Sequence, residues 1–533
     1  MSMVNLILVP ILSGIILYKV PLKAAKLLML LVQGFLAVNV AILLMGSGNQ
    51  PIFEFMGGEI PILFIALRGD RTTFVLAAFT IFLFTASLIY SYFEDFMNNR
   101  FLLLTLVLQG ITTGLFLLDD IFTIFVFFEV STVIATILIM FKKEVRNIYD
   151  GLFYFLIQIV SMMFYIMGIA YLYRMFGVLS LSELAYQISL GVPAQDLLLP
   201  FAFLLSGVGL KVGLFPMFSW VTRAYGTKSA PIASIALQSA VFIKASLWIF
   251  LRLYNLFAPT LGFQDFFLGV AFVTGVAGAV KSLAQRDIKL LLAYSTISQI
   301  GLLFMGIFLD HEVSYFGSLY HVLTHGVVKL LLFLCAGMIM DKYETHDMSQ
   351  IRGVLKVMPL VGVMALLGIL GITGAPFFNG AMSKYWLMYG STGTVLEAAI
   401  WVINTGTMLV YMKYAFMLFG SPAALPQGVV RGFATKGVVL TALGISCVVA
   451  GIFGRQLVFG MFGVELTKSV SAVVEKALIY VAMAVGTFLL VRYVSPFVTK
   501  RMGYLRDSLS FPRSVFFLLA FFVTMVAYGM MLY

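Results

Sequence analysis

Six ionisable residues stand far from the ends of long apolar runs, Glu129, Lys211, Lys244, His321, His325 and Lys329, and a seventh, Lys384, follows a break in another such run. A charged side chain deep in a bilayer costs about 2.5–3.5 kcal/mol on insertion scales, so it faces a cavity or a partner rather than lipid. Carboxylates, amines and imidazoles at that depth share one chemistry, the uptake and release of a proton. Glu129 lies in FTIFVFFEVSTVIATILIM. It is about ten residues from one end of that run and about twelve from the other, close to mid-bilayer at about 1.5 Å per residue. Bringing a carboxylate and an ammonium together favours the ion pair, and separating them favours the neutral forms. A Glu129–Lys211 pair therefore reads as a protonation switch. The blander alternative is a static buried ion pair that fixes packing.

The segment SLYHVLTHGVVKLLLF places His321, His325 and Lys329 at i, i+4 and i+8, on one helix face. Histidine exchanges protons near neutral pH, so the stripe suits a relay. A structural polar face is the second reading. Metal binding is the third, although a third ligand such as the glutamate of HExxH is missing. His311 and His346 fall in loops. Lys384 stands where a proton path would end. Lys413 and Arg492 lie nearer span ends, where long cationic side chains snorkel. Ser295, Thr296, Ser298 and Gln299 form a polar face able to hold water.

The elements that position these groups are apolar helices, two of them interrupted. Between Leu198 and Leu253 two spans each carry one lysine, Lys211 and Lys244, and the first is broken at GLKVGLFP by Gly213 and Pro216. A second break, GILGITGAPFFNG with Pro376, precedes Lys384. Non-helical backbone at membrane depth belongs against protein or a water-lined cavity, and paired broken helices point to a transport site. Simple packing kinks are the alternative reading of both prolines.

With 62% hydrophobic and 11% charged residues and a mean hydropathy of +1.05, the chain reads as an all-α integral membrane protein. Apolar runs of helix-spanning length number roughly sixteen. They cover 3–18, 27–45, 72–93, 101–118, 120–141, 150–174, 198–222, 230–254, 264–284, 287–309, 314–340, 357–388, 395–419, 437–454, 477–495 and 513–532. The first, Val4–Leu17, lacks a basic leader and a small-residue cleavage site and reads as a retained helix. The net charge of +11 sits in short loops, which favours membrane orientation over nucleic-acid binding. With the N-terminus outside, the inside loops hold about 21 Lys and Arg against about 7 outside, so both termini are expected on the outer side. The acidic patches Asp119–Asp120 and Asp310–Glu312 then fall outside. Cys335 and Cys447 lie inside apolar runs and imply neither disulfide nor metal.

Spans 4–8 and 9–13 form two five-helix sets that enter the membrane from opposite sides, each with a broken helix as its fourth member. The expected domains are residues 1–100, a translocating core over 101–420 with repeats 101–254 and 264–419, and C-terminal spans over 421–533.

Several stretches carry a family resemblance: SLAQRDIKLLLAYSTISQIG, GLKVGLFPMFSW, YHVLTHGVVKLLLFLCAG, GAPFFNGAMSKYW and the FFE around Glu129. In this order they resemble the antiporter-like subunits of respiratory complex I and of Mrp-type cation/proton antiporters. GGEIPILFIALRGDR is closer to the Mrp D-type and membrane-bound hydrogenase members. The resemblance implies a fourteen-helix core with two inverted repeats. It also implies a proton path over Glu129, Lys211, Lys244, His321, His325, Lys329 and Lys384. Lys244 is the looser match, because YGTKSAP is slightly longer than in the complex I members. Spans 477–495 and 513–532 exceed that core and are expected to meet a neighbouring subunit. The loop 496–512 is too short for a lateral arm.

The expected function is therefore proton translocation within a multisubunit complex in the cell membrane, with or without exchange for Na⁺. Expected partners are further antiporter-like and small membrane subunits, with no nucleic acid. No cofactor is expected: the chain has no nucleotide fingerprint, no Cys cluster and no paired-helix histidines for haem. The alternatives are a quinone- or metal-binding membrane subunit of an oxidoreductase, or a non-transporting scaffold.

Overall fold

The computed structural model describes residues 2–48, 50–56, 65–141, 145–226, 230–422, 426–466, 470–501 and 509–533. Of residues 146, 470–474 and 494–501 it describes the backbone alone. Parts of YGTKSAP (227–229), GGEIPILFIALRGDR (57–64), KKEVRN (142–144) and TKRMGYLRD (502–508) lie outside the described residues.

Among the described residues, fourteen helices are long and apolar enough to cross a membrane. Two of the expected spans are shorter, Met3–Leu17 and Pro359–Thr373. The protein is a multi-pass integral membrane protein. Continuous apolar sequence gives these helices because every backbone N–H and C=O must be satisfied inside the segment when water is absent. Their ends are closed by polar caps. Asp70 and Thr73 form a reciprocal capping box at Arg71–Tyr90. Asp120 caps Ile121–Ile139 through the Thr123 N–H at 2.5 Å. Asp287 caps Ile288–Ile307 through the N–H groups of Lys289 and Leu290 at 2.8 and 3.2 Å.

The chain forms two compact units. One comprises Met1–Ser234, Val241–Phe263 and Leu509–Tyr533; the other comprises Ile235–Ala240 and Gln264–Ser508. In the first, the last helix, Phe511–Leu532, packs on the helix Ala194–Val212. Phe203 and Phe522 lie 4.5 Å apart between ring centroids, and Gly529 sits against Leu198. In the second, the helix Val470–Arg501 packs on Val395–Ala415, with the Lys476 ammonium 5.0 Å from the Trp401 ring. This helix extends past the expected limit of 495 to Arg501, running through Ser495 and Pro496, where the apolar run is interrupted. The expected 496–512 loop is shorter by that much. The tightest helix pair of the second unit is Gln264–Ala284 against Ile288–Ile307: a Cβ on Gly301 would strike the backbone of Gly275 and Ala271.

Several short elements lie outside the apolar-run count. Ile52–Met56 and Ile65–Gly69 form an antiparallel hairpin with Ile52 opposite Gly69. Two short helices, Leu181–Ser189 and Gly454–Phe462, connect longer ones. The acidic patch at Asp119–Asp120 is not a solvated loop. Asp119 is fully buried, paired with Arg252 and hydrogen-bonded by Ser180 Oγ at 3.0 Å and the Ser182 N–H at 3.2 Å. Arg252 also donates to the Leu118 carbonyl. The Asp119 backbone donates to Ala66 O at 2.9 Å, tying the hairpin to the same node. Arg252→Ala leaves a buried carboxylate without its counter-ion, and we expect a loss of about 3–5 kcal/mol. Thermal unfolding of the purified protein should show it, with partial recovery in the Asp119→Asn, Arg252→Met double variant.

Candidate functional site: two clusters of buried ionisable groups

Both interruptions of the apolar runs have the same local cause. The helix Ala194–Val212 ends at Gly213, whose φ of 80° is left-handed and open to glycine at little cost. Helix resumes at Trp220, and the Trp220 indole donates to Leu210 O at 2.8 Å, satisfying a carbonyl near the broken end. The helix Pro359–Thr373 ends at Gly374, φ 87°, and helix resumes over Asn379–Leu387. Freed backbone is recovered by the Ala375 N–H on Leu370 O at 2.9 Å. Pro216 and Pro376 lie within these breaks. The expected limits of 198–222 and 357–388 thus each contain two helical pieces.

In the first unit, Lys211 sits one residue before its helix end and is 3% exposed. Its Nζ donates to Thr132 Oγ1 at 2.9 Å and to Gln158 Oε1 at 3.2 Å, and lies 5.0 Å from the centre of the Phe128 ring. Phe128, Glu129 and Thr132 lie within one turn of the helix Ile121–Ile139, so Glu129 belongs to the same neighbourhood. No ion pair joins Glu129 to Lys211 among the described residues. Glu129 is half-buried, and its Oε1 finds no hydrogen-bond partner among those residues. The lysine is thus solvated by a hydroxyl, an amide and a ring, with the carboxylate nearby but not bonded. Lys244 is 1% exposed and follows a π-helical turn, Gln238–Phe242. Such turns are rare and recur at functional sites, and no apolar periodicity announces them.

In the second unit the histidine face is built as the i, i+4, i+8 spacing requires. The His321 and His325 rings lie 6.0 Å apart and nearly parallel. His321 Nε2 meets Gln299 Oε1 at 3.0 Å, and Nδ1 meets Ser383 Oγ at 2.8 Å. Gln299 uses its amide N–H on Thr407 Oγ1 at 2.8 Å, so its oxygen is the atom facing His321. That assigns the neutral ring a proton on Nε2 and leaves Nδ1 to accept from Ser383. A second proton would sit on Nδ1, with the Ser383 hydroxyl turned to accept. Metal ligation would require breaking one of these two bonds. Lys329 is fully buried and donates to Leu292 O at 2.7 Å, Ser295 Oγ at 2.6 Å and Tyr411 OH at 2.9 Å. Lys384 is 7% exposed, and its Nζ has no hydrogen-bond partner among the described residues.

The structure therefore groups Glu129 with Lys211, and His321 with Lys329 through the helix Ile288–Ile307. Ser295 and Gln299, expected to hold water, bind Lys329 and His321 directly. Gln158, Ser383, Thr407 and Tyr411 are partners that sequence reading missed. Each is a single polar residue in an apolar run, a signal too common in membrane helices to select them. Lys413 is structural: it donates to Leu283 O and Gln285 O at 2.7 and 2.6 Å, at the C-terminus of Gln264–Ala284.

Comparison with known proteins places the fold and the family. NADH-quinone oxidoreductase subunit N of Desulforudis audaxviator is 29% identical over 389 residues, 68% of this chain and 75% of that protein. A D-type Na⁺/H⁺ antiporter subunit of Alkalihalophilus pseudofirmus is 30% identical over 328 residues, 58% of this chain and 64% of that protein. Among solved structures, a chain of the Mrp complex of a Dietzia species superposes with a TM-score of 0.78 at 19% identity, over 90% of this chain and 99% of that one. A chain of an archaeal membrane-bound sulfane sulfur reductase gives 0.77 at 21% identity, over 91% and 100%. The family model described as NADH:quinone oxidoreductase/Mrp antiporter, TM, matches residues 119–410, from the buried Asp119 to the residue before Tyr411. That match takes in more than half of the chain and the seven ionisable groups from Glu129 to Lys384, and this chain belongs to that family of antiporter-like transmembrane subunits.

Proposed function

We propose that the chain translocates H⁺ as an antiporter-like subunit of a multisubunit membrane complex. Glu129, Lys211 and Lys244 carry the proton in one unit; His321, His325, Lys329 and Lys384 carry it in the other. The observation that carries this reading is the coordination of Lys211 and Lys329. The Lys211 ammonium is held by a hydroxyl and an amide oxygen rather than by a bonded carboxylate, and Lys329 donates to a carbonyl and two hydroxyls. Such a group can give up its proton without leaving an uncompensated anion behind, which a buried salt bridge cannot do. Glu129, close to Lys211 but not bonded to it, supplies a field that strengthens or weakens as the two approach or part. On the histidine face, the second proton enters at Nδ1 of His321 and leaves through the Ser383 hydroxyl.

The same reading assigns spans 4–8 and 9–13 to two inverted repeats, with the interrupted helices at matching positions, and places both termini on the outer face of the cell membrane. Similarity to a Na⁺/H⁺ antiporter subunit supports Na⁺ as the exchanged ion. Similarity to a quinone oxidoreductase subunit supports a redox-driven partner instead. Either must supply about 2.3 kcal/mol per proton moved against 100 mV. The two C-terminal spans, the least buried of the fourteen spans among the described residues, are the surfaces offered to neighbouring subunits.

Glu129→Gln tests the reading. It keeps size and polarity but removes the charge that acts on Lys211. Proton uptake by sealed vesicles carrying the assembled complex should fall by about tenfold or more, a barrier change of at least about 1.4 kcal/mol. A scaffold with inert charges predicts no change.

A further inference from the structure

The described part of the second unit holds a cavity of about 480 Å³ that shares Lys384 with the proposed proton path but extends well beyond it. Its walls come from the second helix break, from Val395–Ala415 and from the helix Val470–Arg501. The lining is mostly apolar. Four methionines, Met382, Met388, Met408 and Met483, give it an adaptable surface, and Tyr385, Trp401 and Tyr480 add flat aromatic walls. The Tyr480 hydroxyl is already engaged with Thr373 Oγ1 at 3.0 Å. Among the described residues, every charged residue on the wall is cationic: Lys384, Arg455 and Lys476. Arg455 is paired with Glu465, and Lys476 lies over Trp401. Lys384 lines the cavity with a buried Nζ lacking a hydrogen-bond partner among the described residues, and Asn404 Oδ1 is in the same condition.

An apolar chamber of this size with few polar groups has the proportions of a ligand site. An unpartnered buried ammonium specifies the ligand's head, and the methionine-rich wall specifies its body. We infer that this cavity binds a long-chain anionic amphiphile, with its acidic oxygen on Lys384 Nζ and its alkyl chain along the methionines. A neutral amphiphile fills the same volume but leaves Lys384 as it was. The acid can be a free fatty carboxylate or one acyl chain of an acidic phospholipid whose phosphate reaches the cationic wall. Once bound, its charge holds the Lys384 ammonium and stops it exchanging protons. This inhibitory consequence rests on the transport reading above; the binding itself does not.

The test uses the complete chain, purified in its complex and reconstituted in phosphatidylcholine nanodiscs. Two probes carry a diazirine within the alkyl chain: a palmitate analogue and a phosphatidylglycerol with the same chain. Their adducts are mapped by peptide mass spectrometry, and the methyl ester of the palmitate analogue is the neutral control. Saturable adducts are expected between residues 373 and 388 and between 476 and 483, competed by unlabelled oleate. Labelling by the palmitate probe alone identifies a free carboxylate, and labelling by the phosphatidylglycerol probe identifies bilayer lipid. Ala477→Trp, which fills the cavity, should reduce labelling at least fivefold. Lys384→Gln should reduce labelling by the acidic probes but not by the methyl ester. Non-saturable labelling, unchanged labelling in Ala477→Trp, or equal labelling by acid and ester in the wild type overturns the site. Binding without any effect of oleate on vesicle proton uptake would leave the site standing and count against the transport role of Lys384.

Discussion

Replacing Lys211 with methionine is expected to lower proton translocation by about 10²-fold or more, the scale of effect of removing a positioned proton donor. The fold should survive. Methionine is unbranched like lysine and one atom shorter, and its thioether suits the Phe128 ring that now lies 5.0 Å from the ammonium. Thr132 keeps a bond, because its hydroxyl also donates to Phe128 O at 2.8 Å. Gln158 Oε1 loses its donor, a cost of about 1–3 kcal/mol that removal of a desolvated charge partly offsets. Proton uptake by sealed vesicles and the melting temperature of the purified complex measure the two effects separately. A large loss of transport with a shift of a few degrees is the expected combination.

Lys329→Met should reduce translocation as severely, again on the order of 10²-fold. Three hydrogen bonds vanish, yet the groups left behind satisfy one another. Ser295 Oγ already donates to Leu292 O at 2.9 Å and lies 3.1 Å from Tyr411 OH. The structural penalty is therefore smaller than the count of lost bonds implies. Tyr411→Phe provides the graded comparison. It removes one of the three partners while leaving the ammonium with Leu292 O and Ser295 Oγ, and we expect a smaller loss of transport, measured in the same vesicles. Equal losses in the two variants would mean that Lys329 serves only to hold Tyr411.

The membrane-spanning helices were legible in the sequence because apolar length alone dictates them. The seven ionisable groups were legible because their depth is costly and therefore conspicuous. Spacing was enough for the histidine face, since i, i+4, i+8 fixes direction within one helix. It was not enough for Lys211. The nearest carboxylate was the obvious partner, whereas the structure gives the ammonium to Thr132 and Gln158. Short polar side chains carry no periodic signal, and a partner on another helix depends on crossing angle and rotation, which apolar runs do not encode. The buried Asp119–Arg252 node was missed for a related reason. Asp119 adjoins the more exposed Asp120 in a loop-like sequence, and only the return of the helix bearing Arg252 buries it. The π-helical turn before Lys244 left no trace in composition at all.

The central claim is that Lys211 works by releasing its proton, not merely by being positively charged. Arginine at this position separates the two. Its guanidinium keeps the charge and can donate to Thr132 and Gln158, but it does not deprotonate in proteins. Proton uptake by sealed vesicles carrying the Lys211→Arg complex, with assembly verified, is the direct measurement. Uptake should fall to the level of Lys211→Met while thermal stability stays near the wild type. Uptake within twofold of the wild type would contradict the account, since a fixed charge would then suffice.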